Sequence, residues 1–341
     1  MERIRVGIVG FGGMGKMHLG VWNQIEGADV VAVADPDRER LRTGESAQEI
    51  NIGTAAGRLR AEGTRCYTQP GKLARDPNVD VVDICAPTFV HARLARQALA
   101  AGKHVLCEKP MALTPRQCDA VVRAAAATDA VFMVAQCIRF WPAYEHLAET
   151  IRAGRLGALR VLRLMREGPP PRWAWNDWYA DAARSGGGIL DLHVHDVDFL
   201  VSVFGAPRRV ISQGARGFSG GWDAVGTLYD YGPGKVISTF ADLSLPDNVR
   251  FRMAFEAVFE RGMLRCDSRL QPALIEWDGR EERIPDVAPE DGYRREIEYF
   301  AECVRTGRRP RRCLPESTAL SVRVATAERR SCERGRAVSV A

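Results

Sequence analysis

Lysine is scarce in this chain. Among 48 basic residues only Lys16, Lys72, Lys103, Lys109 and Lys235 are lysines, so a lysine in a chemically suggestive place stands out. Excess charge is lacking as well: 43 acidic residues leave a net charge of +5, spread along the chain. That balance argues against a nucleic-acid partner, which needs a concentrated basic face. Nine cysteines occur without one Cys-x-x-Cys pair. A disulfide framework is therefore not expected, whereas buried reduced thiols of a cytoplasmic protein are. No apolar run approaches the roughly 20 residues of a membrane span. The chain also enters "RIRVGIVG" too early for a signal peptide. There is neither an internal repeat nor a low-complexity linker.

A chain of 341 residues has room for two ordinary domains. "IRVGIVG" is a short, β-branched apolar run, the pattern of a buried parallel strand. "GFGGMG" follows at once, with Gly10, Gly12 and Gly15 in the G-x-G-x-x-G spacing and Phe11, Gly13 and Met14 between them. A helix from Lys16 to about Ile25 and a second strand, "ADVVAVADPD", come next. The glycines keep the turn tight and let the backbone approach a pyrophosphate, which rests on the helix N-terminus. Asp35 ends the second strand, 20 residues after Gly15, where a carboxylate accepts the adenosine ribose hydroxyls. Its charge repels an added phosphate, so NAD is the expected cofactor. Arg38 and Arg40 keep NADP as the alternative, unless they only form the solvated start of the next helix.

Alternation continues with "VDVVDICAP" as strand, "HARLARQALAAG" as helix, "KHVLCEKP" as strand, "TPRQCDAVVRAAAAT" as helix and "AVFMVAQCIRF" as strand. Repeated strand–helix units predict an α/β, doubly wound parallel sheet, a Rossmann dinucleotide-binding domain over residues 1–137. The loops "APTFVH" and "CEKP" fall at the carboxyl ends of strands, where ligands bind such sheets, so both should border the cofactor.

After residue 137 the pattern changes to strands of alternating hydrophobicity, from "LGALRVLRLMREG" to "ALIEWDG". These predict an α+β domain over residues 138–341 with an open, mainly antiparallel sheet. Few helices are expected there: one around residues 186–204 and one or two after Tyr293, able to pack back on the first domain. "PRWAWNDWY" sets Trp173, Trp175 and Trp178 just upstream of the first of these helices. Such a cluster serves either core packing or a pocket wall, and its polar loop favours the wall.

"GGGILDLHVHDVD" raises a choice between holding a metal and moving a proton. On a regular helix His193 and His195 diverge by roughly 200° and cannot share one ion. Asp191 and His195, four apart, lie on one face. Zinc needs three or four converging ligands, and no other histidine or cysteine cluster supplies them, so no metal is expected. Histidine suits a proton carrier because its unperturbed pKa lies near neutrality. Lys109 closes an apolar strand before a proline, on a half-buried ledge, where it either pairs with a carboxylate such as Glu108 or reaches a ligand.

In this order and spacing, "GFGGMG", "CEKP" and "GGGILDLHVH" resemble the glucose–fructose oxidoreductase, inositol dehydrogenase and rhizopine-catabolism family (Gfo/Idh/MocA). The resemblance runs on through "APTFVH", "QCIRFWPAY" and "GYRREIEYFAECVRTGRRP". It implies an NAD(P)-dependent dehydrogenase or reductase acting on a CH–OH group of a sugar, inositol or related polyol. It further implies Lys109, Asp191 and His195 as the catalytic group, with His195 as acid–base. Pro87, Thr88 and His91 match the family's cofactor loop, and Glu108 and Gln136 are further cofactor candidates. Arg139, Trp178 and Tyr293 are substrate candidates beside the catalytic three. A homodimer or homotetramer through the second sheet is also implied. His193 departs from the family's usual small or apolar residue, and is expected at the pocket rim or facing solvent. The rival readings are a carbonyl or imine reductase of a sugar-derived substrate, a non-catalytic NAD- and sugar-binding sensor, and a metal-dependent hydrolase.

Overall fold

The computed structural model describes residues 3–41, 44–50, 53–59, 63–288 and 291–340. The chain forms two compact units. The first comprises Met1–Cys137, Pro171–Tyr179 and Tyr293–Ala319, the second Ile138–Pro170, Ala180–Gly292 and Leu320–Ala341.

The first unit contains β1 (Ile4–Val9), α1 (Gly13–Trp22), β2 (Ala28–Ala34), β3 (Gly44–Ile50), β4 (Gly53–Leu59), β5 (Arg65–Tyr67) and α2 (Pro70–Ala74). It continues with β6 (Val81–Ile84), α3 (Thr88–Ala100), β7 (His104–Glu108), α4 (Pro115–Ala126) and β8 (Phe132–Ala135). Six strands form a parallel sheet in the order β5-β2-β1-β6-β7-β8, so the winding reverses between β1 and β6, where such sheets open a ligand crevice. Val6, Ile8, Val82, Ile84, Leu106 and Val134 are buried along β1, β6, β7 and β8, as helix-covered strands require. The expected Rossmann sheet is therefore present.

One segment departs from expectation. Arg38–Leu41 forms only a 3-10 turn, and the chain then folds as a β3–β4 hairpin against α1 instead of a helix. Small residues permit the contact: a Cβ at Gly20 would stand 2.5 Å from the Ala56 carbonyl oxygen. The stretch lacks an apolar stripe of helical period that could have competed.

The second unit contains α5 (Pro142–Ala153), β9 (Leu159–Glu167), the one-turn α6 (Ala182–Ser185), a π-helical turn at Ile189–His193 and α7 (Val194–Phe204). Strands β10 (Arg209–Arg216), β11 (Trp222–Asp230), β12 (Val236–Asp242), β13 (Arg252–Phe259), β14 (Met263–Asp267), β15 (Leu274–Trp277) and β16 (Glu282–Arg283) follow. The chain ends with α8 (Gly292–Thr306), which from Tyr293 on belongs to the first unit, then α9 (Pro315–Arg334) and β17 (Val338–Ser339). The nine-stranded sheet runs β16-β15-β14-β13-β9-β12-β11-β10-β17 and is antiparallel except between β9 and β12. One face buries Val210, Val225, Tyr229 and Ile237. The opposite face exposes Ile211, Leu228, Val236 and Phe240, with Ile211 directly across from Leu228.

Helix α5 was not anticipated. Its signals are local: Pro142 in the first turn, and Gly154 at the C-cap with φ of 61°. Among the described residues no helix is long and apolar enough to cross a membrane.

Candidate active site

Close packing explains the glycines of the first turn. Gly10 has φ of 91°, and a Cβ there would lie 2.6 Å from the Cys85 carbonyl oxygen. A Cβ on Gly15 would meet the Gly10 carbonyl oxygen at 2.1 Å. With Gly12 as N-cap and no acidic residue in its first turn, α1 offers an N-terminus suited to an anion. Asp35 is nearly buried, its Oδ2 accepting the Phe11 amide at 2.8 Å and its Oδ1 the Asp37 amide at 2.9 Å. The carboxylate thus braces the fingerprint turn. Arg40 stands over the same turn, one guanidinium nitrogen 2.9 Å from the Cβ position of Gly12. Burial, then the charge of Arg40, pushes the Lys16 ammonium below its ordinary range. At Gly13, beside Met14, the nearest side chains are Ile50 of the hairpin and Trp173. Gln48 ties the hairpin down by donating from its side chain to the Trp173 carbonyl at 3.0 Å.

The strand-end loops come next. Pro87 caps α3 and Thr88 begins it. His91 links the two loops, its Nδ1 lying 2.8 Å from the Pro110 carbonyl oxygen and its Nε2 2.6 Å from that of Ala86. At the end of β7, Glu108 Oε2 accepts the Lys109 backbone N–H at 2.9 Å, and the lysine side chain is half-buried. Gln136 is buried after β8, and its Oε1 has no hydrogen-bond partner among the described residues. An unpaired buried amide oxygen is costly unless a ligand completes it. This oxygen, the glycine cradle and the bare helix N-terminus fit a dinucleotide. Tyr293 is half-buried, and burial, with Cys137 and Glu108 beside it, pushes its phenol well up. Trp178 stacks on Tyr179 at 3.8 Å between centroids, and Trp173 meets the same ring edge-on at 5.5 Å.

In the second unit the histidine segment does not form the regular helix expected. A π-helical turn over Ile189–His193 feeds α7, a widening often found at functional sites. His193 lies neither at a rim nor in solvent. It is fully buried, with Nε2 within 3.2 Å of Thr239 Oγ1 and 3.3 Å of both the Tyr229 hydroxyl and Glu328 Oε2. Asp196 and Asp198 are also fully buried and paired: Asp196 with Arg166, Asp198 with Arg139. The expected substrate contact Arg139 therefore turns two guanidinium nitrogens onto Asp198, each at 2.7 Å. Asp191 is half-buried and His195 is 9% exposed. A different histidine escaped the sequence reading. His18 of α1 lies between Asp83 and Glu108, fully buried, and its only sequence signal is a polar residue on the buried face of α1 beside Gly15, Leu19 and Trp22.

Two family descriptions match this sequence: "Oxidoreductase family, NAD-binding Rossmann fold" over residues 4–136, and "GFO/IDH/MocA C-terminal domain" over residues 144–265. The chain belongs to the GFO/IDH/MocA oxidoreductase family. It is an enzyme of that class with an NAD-binding domain. Relatives of this GFO/IDH/MocA enzyme include a myo-inositol 2-dehydrogenase of Thermotoga maritima, 26% identical and covering 90% of each chain. A trans-1,2-dihydrobenzene-1,2-diol dehydrogenase of Mus musculus is 30% identical, covering 89% of each. Among solved structures, a levoglucosan dehydrogenase in complex with NADH and L-sorbose shares the fold over the full length of both chains, at a TM-score of 0.83 and 20% identity.

Proposed function

We propose that this GFO/IDH/MocA enzyme transfers hydride between NAD and a CH–OH group of a sugar, inositol or related polyol. The observation that carries the reading lies in one segment. Of its five polar residues, His193, Asp196 and Asp198 are sealed in buried pairs, whereas Asp191 and His195 keep contact with the surface. Relatives named for an inositol and for a dihydrobenzenediol support a substrate with neighbouring ring hydroxyls.

When bound, NAD supplies the hydride acceptor. His195 takes the hydroxyl proton as the bond to hydrogen breaks, a role that contributes about 10²–10⁴-fold. The Lys109 ammonium hydrogen-bonds the same oxygen and stabilises the charge developing on it. Asp191 accepts a hydrogen bond from the neighbouring hydroxyl, or orients His195. Gln136, with its unpaired Oε1, and the loop of Pro87, Thr88 and His91 border the cofactor. Reduction of a carbonyl uses the same groups in reverse.

A second copy of the chain covers the exposed row of Ile211, Leu228, Val236 and Phe240, giving a homodimer or homotetramer. A cytoplasmic location suits the cysteines, none of which forms a disulfide among the described residues. The test is a panel of polyols followed at the NADH absorbance. Ring compounds with adjacent hydroxyls should reduce NAD faster than isolated ring alcohols. Absence of turnover with every CH–OH donor, and with carbonyls in reverse, overturns the reading.

A further inference from the structure

Behind the "CEKP" turn lies a buried charged cluster that the mechanism above does not use. His18 Nδ1 is 2.9 Å from Asp83 Oδ2, and Nε2 is 3.1 Å from Glu108 Oε1. The imidazole and Asp83 are fully buried, and Trp22 Nε1 donates to the same Asp83 oxygen at 2.8 Å. A neutral imidazole has one N–H and one lone pair, and a lone pair turned to a carboxylate is repelled. A ring between two carboxylates therefore carries both protons. Burial opposes that charge, but Asp83 outweighs it and holds His18 well above its ordinary value. His18, Asp83 and Cys85 also stand close enough to share an ion, which would have to displace the ring proton to bind.

Burial pushes up the thiols of Cys85 and Cys107 and the phenol of Tyr293, and pushes His91 down. Among the described residues, the charged groups that face one another include His18 from α1, Asp83 from β6, and Glu108 and Lys109 from the end of β7, with Glu296 of α8 beside Tyr293.

We propose that His18 is a positioning residue for Lys109. As an imidazolium it offsets one of the two buried carboxylates. It also holds Glu108 in the rotamer whose other oxygen fixes the Lys109 backbone N–H. The proposal rests on the assignment of Lys109 to the reacting oxygen.

The test uses the full-length enzyme with His18→Gln. Without the cation, two carboxylates in a dry site hold one proton between them, and that proton restores the native cluster charge. The variant should therefore keep kcat within a few-fold of the wild type near about pH 6, then fall about tenfold below it toward about pH 9, with NADH affinity unchanged. A pH profile parallel to the wild type, with only a lower Tm, would mean a purely structural role and overturns the proposal. Nitrogen-15 NMR of histidine-labelled wild-type enzyme reads the ring directly, whatever the variant's folding. Both His18 nitrogens should be protonated at neutral pH, and a neutral tautomer overturns the proposal. If Lys109→Met retains full turnover, the lysine reading fails and takes the positioning role with it, while a doubly protonated ring in the NMR spectrum marks that failure as the lysine's alone.

Discussion

Arg139 grips Asp198 through two hydrogen bonds of 2.7 Å, and their side chains are only 5% and 0% exposed. Ser321 Oγ donates to the same carboxylate at 2.7 Å. Two residues earlier on α7, Arg166 holds Asp196 through Nε at 3.2 Å and Nη2 at 2.8 Å. The segment carrying Asp191 and His195 is thus bolted from two sides by buried ion pairs.

Breaking one bolt should be expensive. Arg139→Met leaves Asp198 as a buried charge without its partner, and the expected loss is about 3–5 kcal/mol of stability. Urea denaturation measures it. Unchanged stability with a raised KM would return Arg139 to the substrate.

A separate cluster sets an acid limit. Burial pushes the Glu276 carboxyl up, but hydrogen bonds from Arg155, Arg283 and His146 outweigh it and hold it at about 2. A depressed carboxyl contributes stability that is present above its unfolded value, near 4.5, and is lost as pH falls toward 2. Glu276→Gln should remove roughly 3 kcal/mol at neutral pH and flatten the acid limb of the denaturation midpoint against pH. An acid limb as steep as the wild type's would assign the lost stability to other carboxylates.

Cofactor choice sets Asp35 against Arg40 at one turn. The carboxylate repels an added 2′-phosphate, while the guanidinium over Gly12 attracts it. NADH should bind more tightly than NADPH in fluorescence titration, and Arg40→Ala should weaken NADPH about tenfold while leaving NADH nearly unchanged. Equal losses for both cofactors would assign Arg40 to the turn itself.

The exposed row on the second sheet predicts the assembly. Leu228→Asp places a charge opposite Ile211 in the proposed contact, and light scattering should show the oligomer shifting to monomer. A wild-type monomer at micromolar concentration would remove the second copy from the account.

The sequence reading succeeded where a local pattern had one physical cause. β-Branched runs became the covered strands of the first sheet, and the glycine spacing became a turn where Cβ atoms have no room. It failed where partners are distant. Arg139 and Asp198 are 59 residues apart, His18 and Glu108 are 90 apart, and nothing near either residue announces the other. His193 was misplaced for a related reason: its burial depends on Tyr229, Thr239 and Glu328, which only the folded sheet and α9 bring to it. The π-helical turn also escaped, because widening one turn leaves no mark on an apolar stripe. Helix α5 was missed although its signals were present: Pro142, Gly154, and buried Ala143, Tyr144, Leu147 and Ala148 at helical spacing.

The central claim is that Lys109 and His195 act in the chemical step. Turnover and NADH affinity should be measured together for Lys109→Met and His195→Asn. The account predicts NADH binding close to wild type and a loss in kcat of at least about a hundredfold for each. Wild-type turnover in either variant would contradict it.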